Sequence, residues 1–384
     1  MVLSKYFQQF FHSSKSSGVL LIVCVIVSLI IANTSPAEAF QNLLDSKIGT
    51  EVFHLDYSVS VWINDGLMAI FFLLVGLEIK RELLEGELSD IRKASLPIFA
   101  AVGGMVIPAL IYVAFNHNTG YKNGWAIPMA TDIAFSLAII SLLGKSVPNS
   151  LKIFLSALAI VDDLGAIIVI ALFYTDSIDW ISLGICGGIT ALLIILNRIG
   201  ITKILFYIIP GLFLWYFMHH SGIHATIAGV ILAFTIPTNV STTEISPLEK
   251  LEQKLHIPVS FLIMPVFALA NTNITFQSGI FSHFISPLSL GIIFGLFAGK
   301  VLGINLFSFL AIKLKWGKMP ALSAWKEMIG VGFLAGIGFT MSIFVSLLAF
   351  PNETAIQNLS KISILFASVL SGLTGYLILK MKKN

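Results

Sequence analysis

Apolar residues run through this chain in long blocks, not in the stripes of a surface helix or the alternation of a half-buried strand. Twelve blocks stand out, near residues 18–33, 59–80, 95–115, 124–143, 151–174, 180–197, 204–218, 222–236, 257–271, 287–312, 327–350 and 360–380. A bilayer-spanning helix needs about 20 apolar residues. The pattern therefore predicts an all-α polytopic membrane protein of 12 transmembrane helices, forming one membrane domain over 1–384. The longest outward connection, about 34–58, holds a turn at Lys47–Glu51. Phe53, Leu55 and Tyr57 then alternate with His54, Asp56 and Ser58. This predicts a short external hairpin over 45–58, suited to a linker or a dimer contact.

Composition agrees. Of 384 residues, 57% are hydrophobic and 11% charged, against about 25% charged in soluble domains. The net charge of +3 is too small to point to nucleic acid. Cys24 and Cys186 lie in apolar runs and fit no disulfide or metal pattern. With the N-terminus inside and the segments alternating, inside loops and tails hold nineteen Lys/Arg and outside loops three, Lys47, Lys122 and Lys361. That bias sets both termini in the cytoplasm. Residues 1–33 also carry features of a cleaved signal peptide, but an uncleaved first helix keeps the charge bias along the whole chain.

Two segments are built to break. The fourth contains Pro128, followed by Thr131 and Asp132; the eleventh places Gly330, Gly332, Gly336 and Gly338 close together before Thr340. Proline removes a helical donor and glycine weakens a helix. A kink in one and a small-residue packing face in the other would also explain them. The two segments run in opposite directions, however, so helices 3–5 and 10–12 (residues 95–174 and 287–380) read as inverted repeats with broken helices 4 and 11 crossing at mid-membrane. Broken segments at matching places in two halves mark a transporter's ion site.

The ionisable residues inside apolar runs are Asp65, Asp132, Asp162, Asp163 and Lys300, with Glu78 at a helix end. A charge at mid-membrane costs roughly 2.5–3.5 kcal/mol on insertion scales, so adjacent aspartates there point to cation or proton handling. Neighbouring helical residues diverge by about 100°, so one aspartate can pair with Lys300 while the other opens to a cavity. Carboxylate and Thr oxygens suit a small hard cation such as Na+. A carboxylate binding either Na+ or a proton, never both, is the minimum machinery of exchange. The same charges would also serve as a purely structural network. At the end of the second segment, Glu78, Arg81, Glu82 and Glu85 share one helix face and, with Glu252 and His256, could line a cytoplasmic mouth. His219, His220 and His224 fall near the outer side as packing or interface residues.

The stretches GWAIPMATDIAF (124–135), ALAIVDDLGAI (157–167), SGIHAT (221–226) and GIGFTMSIF (336–344) resemble the NhaA family of Na+/H+ antiporters, and the resemblance spans nearly the whole chain. NhaA is itself a type case of the inverted-repeat rule, so that expectation is not independent of the resemblance. The resemblance implies a Na+/H+ site at Asp163 with Asp132, an Asp162–Lys300 pair, and Thr131 with Thr340 at the crossing beside Pro128, Gly336 and Gly338. It implies pH sensing by Glu78, Arg81, Glu82, Glu252 and His256, with Asp65 and His224 as accessory residues. It further implies Na+ or Li+ export from a bacterial inner membrane against inward protons, electrogenic and activated at alkaline pH. No cofactor, nucleic acid or soluble protein partner is implied, and the family forms homodimers through the 45–58 hairpin. The stretch 244–252 is less basic than the family's pattern.

Other functions fit parts of the pattern. An intramembrane aspartyl protease would use Asp132 and Asp163, but leaves Asp162 without a role, and neither HExxH nor GxGD occurs. A retinal-type pump would use Lys300, against the segment count. A passive cation channel would use the same charges without coupling.

Overall fold

The computed structural model describes residues 14–175, 178–238, 245–276 and 284–381. Lys5, Lys382 and Lys383, part of the inside charge above, lie outside the described residues, as does Glu244. Apart from one two-stranded pair, the regular structure of the described residues is helical. Eight helices are long and apolar enough to cross a membrane. They are α3 (Val59–Leu84), α4 (Ile91–Asn116), α5 (Lys122–Leu142), α6 (Asn149–Phe173), α7 (Trp180–Arg198), α10 (Pro247–Asn271), α11 (Pro287–Lys313) and α14 (Thr354–Lys380). Two bent pairs raise the count to as many as 10. One joins α1 (Ser14–Ala32) to α2 (Ala37–Asp45) at 110°, the other α12 (Trp325–Ala335) to α13 (Phe339–Ala349) at 46°. The seventh and eighth apolar blocks form α8 (Leu205–His220) and α9 (Ile227–Thr235), of 16 and 9 residues, short of the usual spanning length.

The connection 34–58 contains an antiparallel strand pair within 45–58, and a helix before it that the sequence reading lacked. Ala37–Asp45 forms a helix, in keeping with its Ala, Leu, Glu and Gln content. The alternation from Phe53 survives only as strand β2 (Tyr57–Ser58), pairing antiparallel with β1 (Lys47–Ile48) in the register Lys47↔Ser58. Between them Glu51–Phe53 makes a 3-10 turn, and His54 takes a left-handed conformation (φ 50°). Lys47 pairs with Asp56 at 2.9 Å. That hydrogen bond and the neighbouring charge raise the Lys47 pKa above its ordinary value.

The chain divides into two compact units: Met1–Val23, Glu85–Ala166 and Ile274–Asn384; and Cys24–Leu84 with Ile167–Asn273. In the second unit, α3, α7, α8, α9 and the start of α10 enclose a core including Leu77, Leu193, Tyr207, Leu214, Ala233 and Leu248. Helix α10 starts with a capping box between Ser246 and Glu249 and has Pro247 in its first turn.

In the first unit α4 and α11 approach until a Cβ on Gly303 would lie 2.0 Å from the Gly103 carbonyl oxygen, and one on Gly103 2.3 Å from that of Gly303. Only hydrogen fits on either side. Gly303→Ala is therefore expected to destabilise the protein by about 1–3 kcal/mol, read as a lower melting temperature in detergent. Gly187→Ala, with open space around it, is the control and should not lower it.

Both segments expected to break do so. In α5 a 3-10 turn over Lys122–Met129, containing Pro128, gives way to extended backbone at Ala130 and Asp132 before the helix resumes at Ile133. Proline's missing N–H and fixed φ favour the interruption. Between α12 and α13 the chain turns at Gly336–Gly338. A Cβ on Gly336 would sit 2.5 Å from the Leu296 carbonyl oxygen, so this glycine permits a close approach.

Candidate functional site

The two breaks lie against each other within the first unit. The Asp132 amide donates to Ile337 O at 2.6 Å. The Thr131 hydroxyl lies 2.6 Å from Asp162 Oδ2 and 2.8 Å from Ala335 O; with one proton, it can donate to one of them at a time. Asp132 caps the resumed helix of α5 through Phe135 N, 3.0 Å from Oδ1. Its Oδ2 accepts from the backbone of Thr340 at 3.1 Å and from the Thr340 hydroxyl. Both interruptions open helix termini whose polar backbone groups need partners, and these side chains supply them. Asp132 puts negative charge at a helix N-terminus, where the macrodipole favours it.

Helix α6 presents Asp162 and Asp163 to this region, 1% and 2% exposed. Asp162 Oδ2 pairs with the Lys300 ammonium, and both side chains are fully buried. Asp162 Oδ1 has no hydrogen-bond partner among the described residues, leaving a hard acceptor oxygen in the centre. Lys300 follows a widened π-type turn at Gly295–Gly299, a distortion common at functional sites. Pro128 flanks that turn: a Cβ on Gly295 would lie 2.6 Å from the Pro128 Cβ. Thr131, Asp162 and Lys300 thus form one set of contacts and Asp132 with Thr340 another, joined through the Thr131–Asp132 peptide, with Asp163 next to Asp162 on α6.

The remaining expected residues belong to the second unit. Arg81 Nε contacts the Glu252 carboxylate at 3.0 and 3.1 Å, and Arg81 Nη1 contacts Glu82 at 2.9 Å. Glu78 is partly buried one turn before Glu82. His256 is exposed, and no hydrogen bond or ion pair joins it to this group among the described residues. Asp65 sits in a π-type turn at Trp62–Leu67, its Oδ2 lying 3.4 Å from His219 Nδ1. His224 is half-buried just before α9.

Sequence reasoning missed several contacts. Lys80 Nζ reaches the carbonyls of Phe234 and Ile236 at the end of α9. Ser136 and Ser342 bond to the breaks. His219 packs against Tyr57 and Trp215 as expected, and its Nδ1 also lies 3.4 Å from the Asp65 carboxylate. A serine or lysine in a helical run carries no local mark of the distant carbonyl it will meet.

A family model described as Na+/H+ antiporter 1 matches residues 8–379. The chain belongs to the Na+/H+ antiporter 1 family. Similar proteins named Na(+)/H(+) antiporter NhaA agree with that family along their length. One from Flavobacterium johnsoniae (NhaA 2) is 56% identical over 98% of this chain and 92% of its own. Another, from Flavobacterium psychrophilum, is 50% identical over 99% and 97%. A third, from Klebsiella pneumoniae (NhaA 1), is 47% identical over 98% and 97%. The match of the antiporter family model includes both breaks, both aspartates of α6 and Lys300.

Proposed function

We propose that Asp163, with Asp132, binds Na+ or Li+ and protons in alternation, and that the Asp162–Lys300 pair changes its protonation with the cycle. The chain is a sodium/proton antiporter, a multi-pass membrane transporter and not an enzyme; its ions are substrates, and it needs no cofactor. The observation that carries the site reading is the gathering of four buried carboxylate and hydroxyl groups, Asp132, Thr131, Asp162 and Thr340, at the two breaks, with Asp163 buried next to Asp162 on α6. Carboxylate and hydroxyl oxygens match Na+ chemistry.

The finer architecture in this reading has twelve spans, with inverted repeats over 95–174 and 287–380. Matching contacts support it. Helix α6 meets the first break through Asp162 and Thr131, while α14 meets the second through Ser368, whose hydroxyl oxygen accepts from Phe339 N at 3.2 Å. The breaks cross near mid-membrane, both termini lie in the cytoplasm of a bacterial inner membrane, and the hairpin at 45–58 joins two copies. More protons than cations move per cycle. The Glu78, Arg81, Glu82, Glu252 and His256 region sets activation at alkaline pH, with Asp65 and His224 accessory.

The test is proton flux in everted vesicles carrying this protein, followed with a pH-sensitive dye. NaCl added after respiration has built a pH gradient should collapse that gradient, more strongly as the medium becomes alkaline. A gradient indifferent to Na+ and Li+ at every pH would remove the reading. Na+ flux that dissipates a sodium gradient but leaves the pH gradient in place would return the channel.

A further inference from the structure

The helices that restart after the two breaks begin alike. Ser136 lies one turn beyond Asp132, and its amide bonds back to Asp132 O at 3.0 Å; Ser342 lies one turn beyond Gly338, and its amide bonds back to Gly338 O at 2.8 Å. Each side chain then crosses to the other segment. The Ser136 hydroxyl donates to Leu334 O, in the last turn of α12 before its break, at 2.8 Å. The Ser342 hydroxyl donates to Ile127 O, in the turn before the break of α5, also at 2.8 Å. Both serines are fully buried. Leu334 and Ile127 are fully buried too, so removing a hydroxyl exposes its partner carbonyl to the desolvation penalty.

We propose that Ser136 and Ser342 form a reciprocal pair of positioning residues, each fastening the opposite segment's break so that the crossing holds Asp132 and Thr131 in register with α6. Neither needs to touch the ion. Their influence runs through backbone: Leu334 O adjoins Ala335 O, one of the two acceptors within reach of the Thr131 hydroxyl, and Ser342 is on the same helix as Thr340, the Asp132 donor. Loosening either fastening lets the oxygens around the ion drift apart, which weakens cation binding in the resting site more than it slows the cycle. This rests on the reading of Asp163 and Asp132 as the ion site.

The experiment measures Na+ and Li+ KM and maximal exchange rate in reconstituted vesicles for the wild type, S136A, S342A, the double variant and S136T, with D163N alongside. Each alanine variant should raise the KM for both ions about three- to ten-fold, a loss of roughly 0.7–1.4 kcal/mol in binding, with the maximal rate per folded transporter within about two-fold. The double variant should fall short of the product of the single effects, because a crossing already loosened at one break has less left to lose at the other. S136T, which keeps the hydroxyl, should recover most of the wild-type KM.

If an alanine variant does not accumulate in the membrane, Ser→Cys, a weak donor of similar size, takes its place and should show the same rise. Wild-type KM in folded S136A and S342A, or a loss confined to the maximal rate, overturns the proposal. An inactive D163N beside serine variants of normal KM refutes the positioning pair alone. An active D163N refutes the underlying site.

Discussion

Asp163→Asn is expected to abolish Na+- and Li+-dependent proton exchange while leaving the protein folded. The side chain is 2% exposed, so a transported cation there has little water to offset its charge. A carboxylate about 4 Å from a unit positive charge contributes about 4 kcal/mol at an effective dielectric of about 20. Losing it lowers ion occupancy by about a thousand-fold. Asparagine keeps the shape and is neutral, so folding is spared a buried charge. It cannot exchange a proton either, so both halves of the cycle stop together. Everted vesicles with wild-type amounts of D163N should show no Na+ response at any pH. Exchange within ten-fold of wild type would move the site away from Asp163.

The second large effect concerns stability. Lys300→Met leaves Asp162 with its carboxylate buried and its principal counter-charge gone. Breaking one side of a buried ion pair costs about 3–5 kcal/mol, partly relieved here when the Thr131 hydroxyl, 2.6 Å away, donates to the carboxylate in place of Ala335 O. The melting temperature of K300M in detergent should fall well below that of the wild type. Adding Asp162→Asn removes the stranded charge. Because replacing both members of a buried pair is often neutral or stabilising, D162N/K300M should recover most of the loss. A K300M protein as stable as the wild type, or a double variant no better than K300M, would show that the pair's electrostatics do not hold this part of the fold.

The residues of the site were legible because each broke a local rule. Asp132, Asp162, Asp163 and Lys300 put charge in apolar runs, where its cost singles it out. Pro128 and the Gly336–Gly338 pair put helix breakers in spanning segments, and both segments break where those residues stand. Other positions obeyed their local rules and stayed hidden. Ser136 and Ser342 are ordinary small residues in helices until the opposite break arrives beside them. Helix α2 was hidden too, since nine residues of moderate polarity read equally well as a connection. His256, placed with the Arg81 group by the sequence reading and the resemblance alike, is exposed and not bonded to that group among the described residues.

By itself the sequence determined the membrane class, the positions of both interruptions and the charged residues that need a reason to be buried. Hydrophobicity, helix breaking and the cost of a buried charge are properties of a residue and its near neighbours along the chain. The residues alone left open which aspartate takes Lys300; the resemblance implied Asp162, and the folded chain pairs them. Only the tertiary structure decided which backbone oxygens lie within reach of Thr131, Ser136 and Ser342, and that Asp132 caps one helix while accepting from another. Those partners lie far apart in sequence. A hydrogen bond or ion pair depends on distances of about 3 Å, which exist only once the segments have packed.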